Sequence, residues 1–345
     1  MGGPAQRPDV LLVELGSTRG LRVADEELVG SLERAGACVA VACAAHPGDV
    51  RTLALTDLLW ARSARRAAER KLRRLGERLA PRSVIYSTTT AALLWPRPGA
   101  LRFDSPAAAN RPGRHGLWQR PLERRRLRQA PLLLPSSAGA LAEASSAVAG
   151  CAERALVVPV PIALPPPDDG AERDIAAITY AANPSKKGLD RVLETWRRVR
   201  RPSEQLVVAG IDRQRLGESG FDVPDDGVLV AGMLSQREYR ALLRRSRVFL
   251  CAPRREEYGI AQLEALAEGC LLVTAPAPGG YVALPIAREL DPRLVGEDLG
   301  VALRHALDAP TAGYCLRAHG LLEPLTAAAV DRIVAEQLLP RLLGE

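Results

Sequence analysis

VFLCAPRREEYGIAQLEALAEGCLLVTAPAPGG, residues 248–280, is the stretch on which the reading of this 345-residue chain turns. An apolar strand from Val248 leads into a Pro–Arg loop that reaches Glu256, and the aromatic–Gly pair Tyr258–Gly259 follows. A helix then opens with Glu264 two turns along its axis, and Gly269 ends it before a second apolar strand, Leu271–Val273. Two carboxylates eight positions apart therefore straddle a helix start. Such a start offers unpaired backbone N–H groups and partial positive charge, which suit a phosphate. Carboxylates are acceptors and suit hydroxyl groups, such as those of a ribose or a sugar. The local chemistry is an anion flanked by polyols, which describes a nucleotide sugar.

The segment resembles the donor-site motif of glycosyltransferase family 4, the retaining group 1 glycosyltransferases of the GT-B fold. That pattern runs Glu, a small residue, Phe or Tyr, Gly, an aliphatic residue, then Leu-Glu-Ala and a Gly before a Val-rich strand. Glu256, Tyr258, Gly259, Ile260, Leu263, Glu264, Ala265, Gly269 and Val273 match it.

Working outward, YAANPSKKGLDRVLETW, 180–196, repeats the same grammar: a strand ends, a polar loop follows, and a helix starts near Gly188. Lys187 stands at that junction, where an ammonium can reach a diphosphate. Lys187, Gly188, Leu189 and Asp190 match the family's Lys-Gly-Leu-Asp, so the resemblance makes Lys187 the diphosphate-binding Lys. The family's preceding Arg is absent; its place falls on Ala182. Lys186, Arg254 and Arg255 are the candidate replacements, with Arg255 included in the expected donor site.

By the same resemblance Glu256 contacts sugar hydroxyls and Glu264 holds the ribose diol. The amides of Tyr258, Gly259 and Ile260 lie against the diphosphate. Gly16, in the turn LGSTRG after the first strand, either admits a ligand close to the backbone or makes a plain tight turn. Asp104 in LRFDSP stands where many relatives carry a His aimed at the transferred sugar. It orients sugar or acceptor, or it caps the helix before Pro106. His115, in the turn NRPGRHG, is expected on the surface. The expected catalytic residues are Glu256, Lys187 and Asp104. No Asp-x-Asp element stands near the motif, so neither a metal nor another cofactor is expected.

Short apolar strands alternate with helical segments on both sides of VVPVPIALPPPDDG, 157–170, which indicates βα units and parallel sheets. Strands are expected at Val10–Glu14, Cys38–Cys43, Val84–Ser87, Leu101–Phe103, Leu132–Leu134 and Val157–Val160 in the first half. The second half has them at Ala176–Tyr180, Gln205–Ala209, Val228–Val230, Val248–Cys251 and Leu271–Val273. Ala61–Leu79 has helical spacing with Leu72, Leu75 and Leu79 on one side. Further helices are expected at 188–200, 235–245, 259–268, 297–307 and 325–342. Five prolines between 159 and 167 read as a semi-rigid linker. The expected fold class is α/β, a GT-B pair of Rossmann-like doubly wound domains facing across a cleft. The domains are 1–165 on the acceptor side and 166–324 for the nucleotide-sugar donor, with 325–345 crossing back as a C-terminal helix.

With 47% hydrophobic and 25% charged residues, the composition is that of an ordinary globular protein. No apolar run approaches the ~20 residues that span a bilayer, and the N-terminus lacks the pattern of a signal peptide. The six cysteines form no CxxC pair, which points to reduced thiols in a cytoplasmic protein and away from zinc. Residues 1–165 carry 24 Lys+Arg against 14 Asp+Glu, whereas 166–345 carry 23 against 26. The Arg bias and abundant Ala resemble the product of a GC-rich bacterial genome, but not the asymmetry between halves. Two basic helices, at 62–82 and 120–128, read either as a face for anionic lipid at the inner membrane or as solvated surface. No aromatic residues interleave the Arg run, which argues against nucleic acid.

The expected function is retaining transfer of a sugar from a nucleotide-diphosphate sugar to an acceptor hydroxyl on a glycan, a lipid-linked saccharide or a small molecule. The rival readings are another GT-B enzyme, such as a nucleotide-sugar epimerase or a phosphorylase, and a non-catalytic nucleotide-sugar-binding scaffold.

Overall fold

A computed structural model describes residues 6–46, 48, 52–111, 113–167, 172–223 and 226–344. The chain forms two compact units, Met1–Pro161 with Ala327–Glu345, and Ile162–Thr326.

The first unit holds β1 (Val10–Glu14), β2 (Val39–Cys43), β3 (Ser83–Tyr86), β4 (Ala100–Phe103) and β5 (Leu133–Pro135). They form one parallel sheet in the order β2-β1-β3-β4-β5. Both faces are covered, so the strands read as continuous apolar runs rather than alternating ones. Leu11 and Val13 of β1 pack with Trp60, Ala64, Ala67 and Ala68 of the helix Leu53–Leu75. Val10 and Leu12 face the other way, onto Leu28 and Leu32 of Arg19–Arg34. Val330, Val334 and Leu338, from the C-terminal helical run, join that second cluster.

The second unit holds β6 (Ile175–Tyr180), β7 (Leu206–Ala209), β8 (Val228–Gly232), β9 (Ser246–Cys251) and β10 (Leu271–Thr274). Its parallel order is β10-β9-β6-β7-β8. The chain moves outward from β6 through β8 and then returns to the other side of β6 with β9. Between β6 and β9 lies the topological switch point, where doubly wound sheets bind ligands at the carboxyl ends of their strands.

Several expected elements are corrected. Val157–Val160 is not a strand; prolines at 159 and 161 deny it ladder bonds, and it runs beside β5 through Leu156 N to Leu133 O and Val158 N to Pro135 O. The Arg-rich helix begins at Leu53 and stops at Leu75, where Gly76 caps it at φ +66. Its buried face is mostly alanine, Ala61, Ala64, Ala67 and Ala68, with Asp57 and Trp60, while Leu79 lies past the end. The expected helix 188–200 forms as Leu189–Val199, preceded by a separate turn, Pro184–Lys187, with Gly188 in the left-handed region between them. The helices Ala138–Ala147, Arg213–Glu218, Ala283–Leu290 and Tyr314–Leu322 were missed. In the proline-rich stretch, residues 168–170 lie outside the described residues. Among the described residues, no helix is long and apolar enough to cross a membrane.

Candidate functional site

The loops after β6 and β9 meet at the switch point, and glycine makes the meeting possible. Gly188 has φ +64, and a Cβ on it would stand 1.9 Å from the Ala252 carbonyl oxygen. No side chain fits there without moving backbone. Arg254 N donates to Lys186 O at 3.0 Å across the same seam. A third loop, after β10, holds Glu256 from behind. Glu256 N donates to Pro278 O at 3.0 Å, and a Cβ on Gly279 (φ +116) would lie 2.0 Å from Glu256 O.

This framework sets two functional side chains against each other. Lys187 closes the single turn Pro184–Lys187, whose N-cap Asn183 accepts from the Lys186 amide at 3.1 Å. Lys187 Nζ donates to Glu256 Oε2 at 2.5 Å. Gln262 Nε2 donates to the same oxygen at 3.0 Å. Glu256 is 4% exposed and Gln262 1%. Burying a carboxylate is costly unless it is paired and hydrogen-bonded, and these donors supply both. The Gln262 amide must offer its NH2 to the carboxylate, and its Oε1 is left buried without a hydrogen bond.

Beside them begins the helix Ile260–Ala267. Its N-cap Gly259, at φ +91, supplies no side-chain cap, and the first-turn amides have no intrahelical partner. Tyr281 lies under Gly259, its ring 3.1 Å from where a Cβ would sit. The Tyr281 hydroxyl is 2.7 Å from Thr274 Oγ1, and burial pushes its pKa well up. Glu264 stands one turn into the helix, not two, half-buried, with the Gln236 amide donating to Oε1.

Around the corner each remaining cation meets a carboxylate. Arg254 forks onto Asp190 at 2.8 and 2.6 Å, which holds the Asp190 carboxyl below its usual range. Lys186 pairs with Glu257, and Arg255 Nε lies 3.5 Å from Glu257 Oε1. Ala182, where the resembling family has an Arg, is exposed.

The second unit thus brings together Lys187, Arg255, Glu256, Tyr258, Gly259, Ile260 and Glu264 around one helix start. Gly16 and Asp104 belong to the first unit, each just past the carboxyl end of a strand, β1 and β4. Gly16 has φ +60 and its carbonyl accepts from Arg22 Nη1 at 2.8 Å. Asp104 is exposed and is not the helix cap. The helix Ala107–Asn110 has Pro106 at its N-cap, and the Glu123 carboxylate accepts from Ala107 N at 2.7 and 2.9 Å. His115 is exposed. Sequence reasoning missed Gln262, Glu257 and Gly279. Gln262 had a readable signal, being a polar residue on the buried side of an otherwise apolar helix.

Taken with its sheet orders, the chain has the GT-B fold: two α/β units, each with a parallel sheet. It is similar to sucrose-phosphate synthase of Thermosynechococcus elongatus at 16% identity and TM-score 0.76, over 98% of this chain and 100% of that one. It is also similar to WaaG, a glycosyltransferase involved in lipopolysaccharide biosynthesis, at 15% identity and TM-score 0.68, over 97% and 100%. A third likeness is to Anabaena Alr3699/HepE, solved with UDP and glucose, at 13% identity and TM-score 0.64, over 95% and 98%. Residues 173–295, all within the second unit, match the family model for glycosyl transferases group 1. Compared by sequence with curated proteins, the chain has no match.

Proposed function

We propose that the chain is a retaining glycosyltransferase that moves a hexosyl group from a nucleotide-diphosphate sugar to an acceptor hydroxyl. One observation carries the reading: Lys187 and Gln262 converge on buried Glu256 beside an uncapped helix start at the switch point of the second sheet. The match of 173–295 to group 1 glycosyl transferases and the UDP and glucose held by the Anabaena neighbour support it.

In this reading the Lys187–Glu256 pair is the resting state. An incoming diphosphate draws Lys187 Nζ to its oxygens, where the amides of Tyr258, Gly259 and Ile260 also point. Glu256 then turns to the sugar hydroxyls with Gln262 still donating to it, and Glu264 takes the ribose diol. Fixed dipoles and a cation aimed at the charge developing on the leaving diphosphate supply most of the rate. The leaving diphosphate accepts the acceptor's proton as the new bond forms on the same face. Glu256 and Glu264 serve different ends of the donor, so the paired-acid geometry of a glycosidase does not apply. Arg255 supplies the charge absent at Ala182.

The reaction needs no metal ion in this proposal, and activity should survive EDTA. A cytoplasmic setting, with contact to the inner face of an anionic membrane, belongs to the same proposal. The exposed arginines are Arg62, Arg65, Arg66, Arg70, Arg73 and Arg74 on one helix and Arg124, Arg125 and Arg128 on another. Co-sedimentation with anionic vesicles tests that contact.

Glu257 favours one rival, a non-catalytic nucleotide-sugar binder, because it engages both Lys186 and Arg255. A panel of UDP-, GDP- and ADP-sugars, followed by NMR of the product anomer, separates the readings. Transfer with retained anomeric configuration is expected. Interconversion without an acceptor would assign an epimerase, a requirement for phosphate a phosphorylase, and binding without turnover the scaffold.

A further inference from the structure

At the opposite end of the first sheet from Gly16 and Asp104, the amino ends of β3 and β4 border a cavity of about 550 Å³. That volume falls within the ~300–1,000 Å³ of ordinary small-molecule sites. Among the described residues its lining contains Arg82, Arg97, Arg154 and Arg341 against one acid, Glu153. The candidate donor site, in the second unit, shares none of these residues.

What the guanidinium groups bond to decides the reading. Arg97 Nη1 donates to Pro81 O at 3.3 Å. Arg154 donates to Leu127 O at 3.1 Å and to Ala130 O. These are neutral carbonyls, which aim the side chains without cancelling their charge. Among the described residues Arg341 has neither a hydrogen bond nor an ion pair. Arg82 Nη2 donates to Leu343 O at 3.2 Å, and its Nη1 lies 3.9 Å from Asp9 Oδ1. Backbone fixes the shape of the floor: a Cβ on Gly99 would stand 2.4 Å from Val84 O, so the Arg97 loop sits flush on β3. No aromatic side chain lines the cavity, so it offers no platform for a base.

We propose that this cavity is a second anion site, built for the phosphate of a phosphate ester. Planar guanidinium forks match phosphate oxygens in charge and geometry. The ester comes either from a soluble phosphorylated metabolite or from a phospholipid headgroup.

Calorimetry of the full chain with pyrophosphate and with glucose 6-phosphate is the test, carried out on Lys187→Ala protein so that the donor site does not contribute. Saturable binding is expected, and Arg97→Gln with Arg341→Gln should weaken it by about tenfold or more. Arg341→Gln alone, which removes no side-chain bond among the described residues, should weaken it in the same direction while leaving the Tm unchanged. Sedimentation with phosphatidylglycerol vesicles but not phosphatidylcholine, lost in the double variant, would assign the headgroup. Binding of the soluble esters without sedimentation would assign the metabolite. Neither kind of binding, or binding indifferent to both substitutions, would overturn the site.

Discussion

Each unit has its own five-stranded parallel sheet, yet the buried carboxylates Asp25 and Glu123 of the first and Asp291 of the second are shifted in opposite directions. In the first unit Asp25 is fully buried and accepts one guanidinium bond, from Arg102 at 2.9 Å. Burial outweighs that bond and pushes its pKa up to about 6. Glu123 is likewise pushed up by burial, to about 7, although it accepts from the Ala107 amide. In the second unit Asp291 is also buried, though desolvation is not the leading influence on it. It accepts a fork from Arg293 at 2.9 and 2.8 Å, that residue's amide at 3.0 Å, and the Thr311 hydroxyl. Its carboxyl is held well below the usual range, with the Arg293 bonds as the main cause. Burial is the largest cause for Asp25 and Glu123 and the Arg293 hydrogen bonds the largest for Asp291, so the balance between desolvation and donors separates the cases. At Glu256, Lys187 and Gln262 donate to one buried oxygen.

The largest expected effect tests whether that pairing is chemistry or structure. Glu256→Ala and Lys187→Ala should each cut turnover by roughly 10²–10⁴-fold, as when a charged group in a catalytic cluster is lost. Circular dichroism should stay native. Full activity in Glu256→Ala would reduce the pair to a structural ion pair.

Next in size is a pH response that differs between the units. Asp25 and Glu123 have folded pKa values above their unfolded ones, so the folded unit binds more protons. The stability they contribute is present below about pH 4 and lost as pH rises to about 7, on the order of 3 kcal/mol for each. Asp190 and Asp291 are shifted down, so their contribution is present above about pH 4 and lost as pH falls. Hydrogen exchange by mass spectrometry, corrected for intrinsic rates, should show first-unit peptides loosening between pH 4.5 and 7 while second-unit peptides hold. Equal behaviour of the two would break the comparison.

Much of the second unit could be read in its sequence, and little of the first unit's chemistry could. Gly188, Gly259 and Gly269 punctuate loops and helix ends at positive φ, and such residues are visible in one dimension. The apolar strands were visible too, because burial on both faces leaves no polar alternation to interrupt them. The Asp25–Arg102 pair was invisible, since its members are 77 residues apart and each resembles a surface charge. Glu123 hid inside RPLERRRLRQ, where the arginines drew the eye from a charged residue that turns inward beside Leu127. The basic helix boundary failed for a related reason. Alanine carries most of the buried face of Leu53–Leu75, and alanine has too little hydrophobic contrast to mark a face.

Gln262→Leu asks whether the second donor on Glu256 matters once Lys187 has left for the diphosphate. About tenfold loss of kcat with little change in KM is expected, because the carboxylate then loses its remaining partner at the reacting stage. Gln262→Asn, shorter by one carbon, should recover part of the loss only if the amide reaches Oε2. Glu264→Ala should instead weaken nucleotide affinity, by roughly tenfold, with kcat nearly kept.

The smallest effect is expected to be a gain. Glu257 stands where the resembling motif has a small residue, and it engages Lys186 and Arg255, two of the candidates for the charge absent at Ala182. Its removal leaves both cations beside the helix start without their carboxylate. Glu257→Gln should therefore tighten binding of a nucleoside diphosphate by a fewfold, the size of a screened, partly exposed ion pair. The gain should shrink as salt rises. A loss of affinity would mean that Glu257 aims Arg255 rather than neutralising it, which would make the second unit's ion pairs a scaffold for the site.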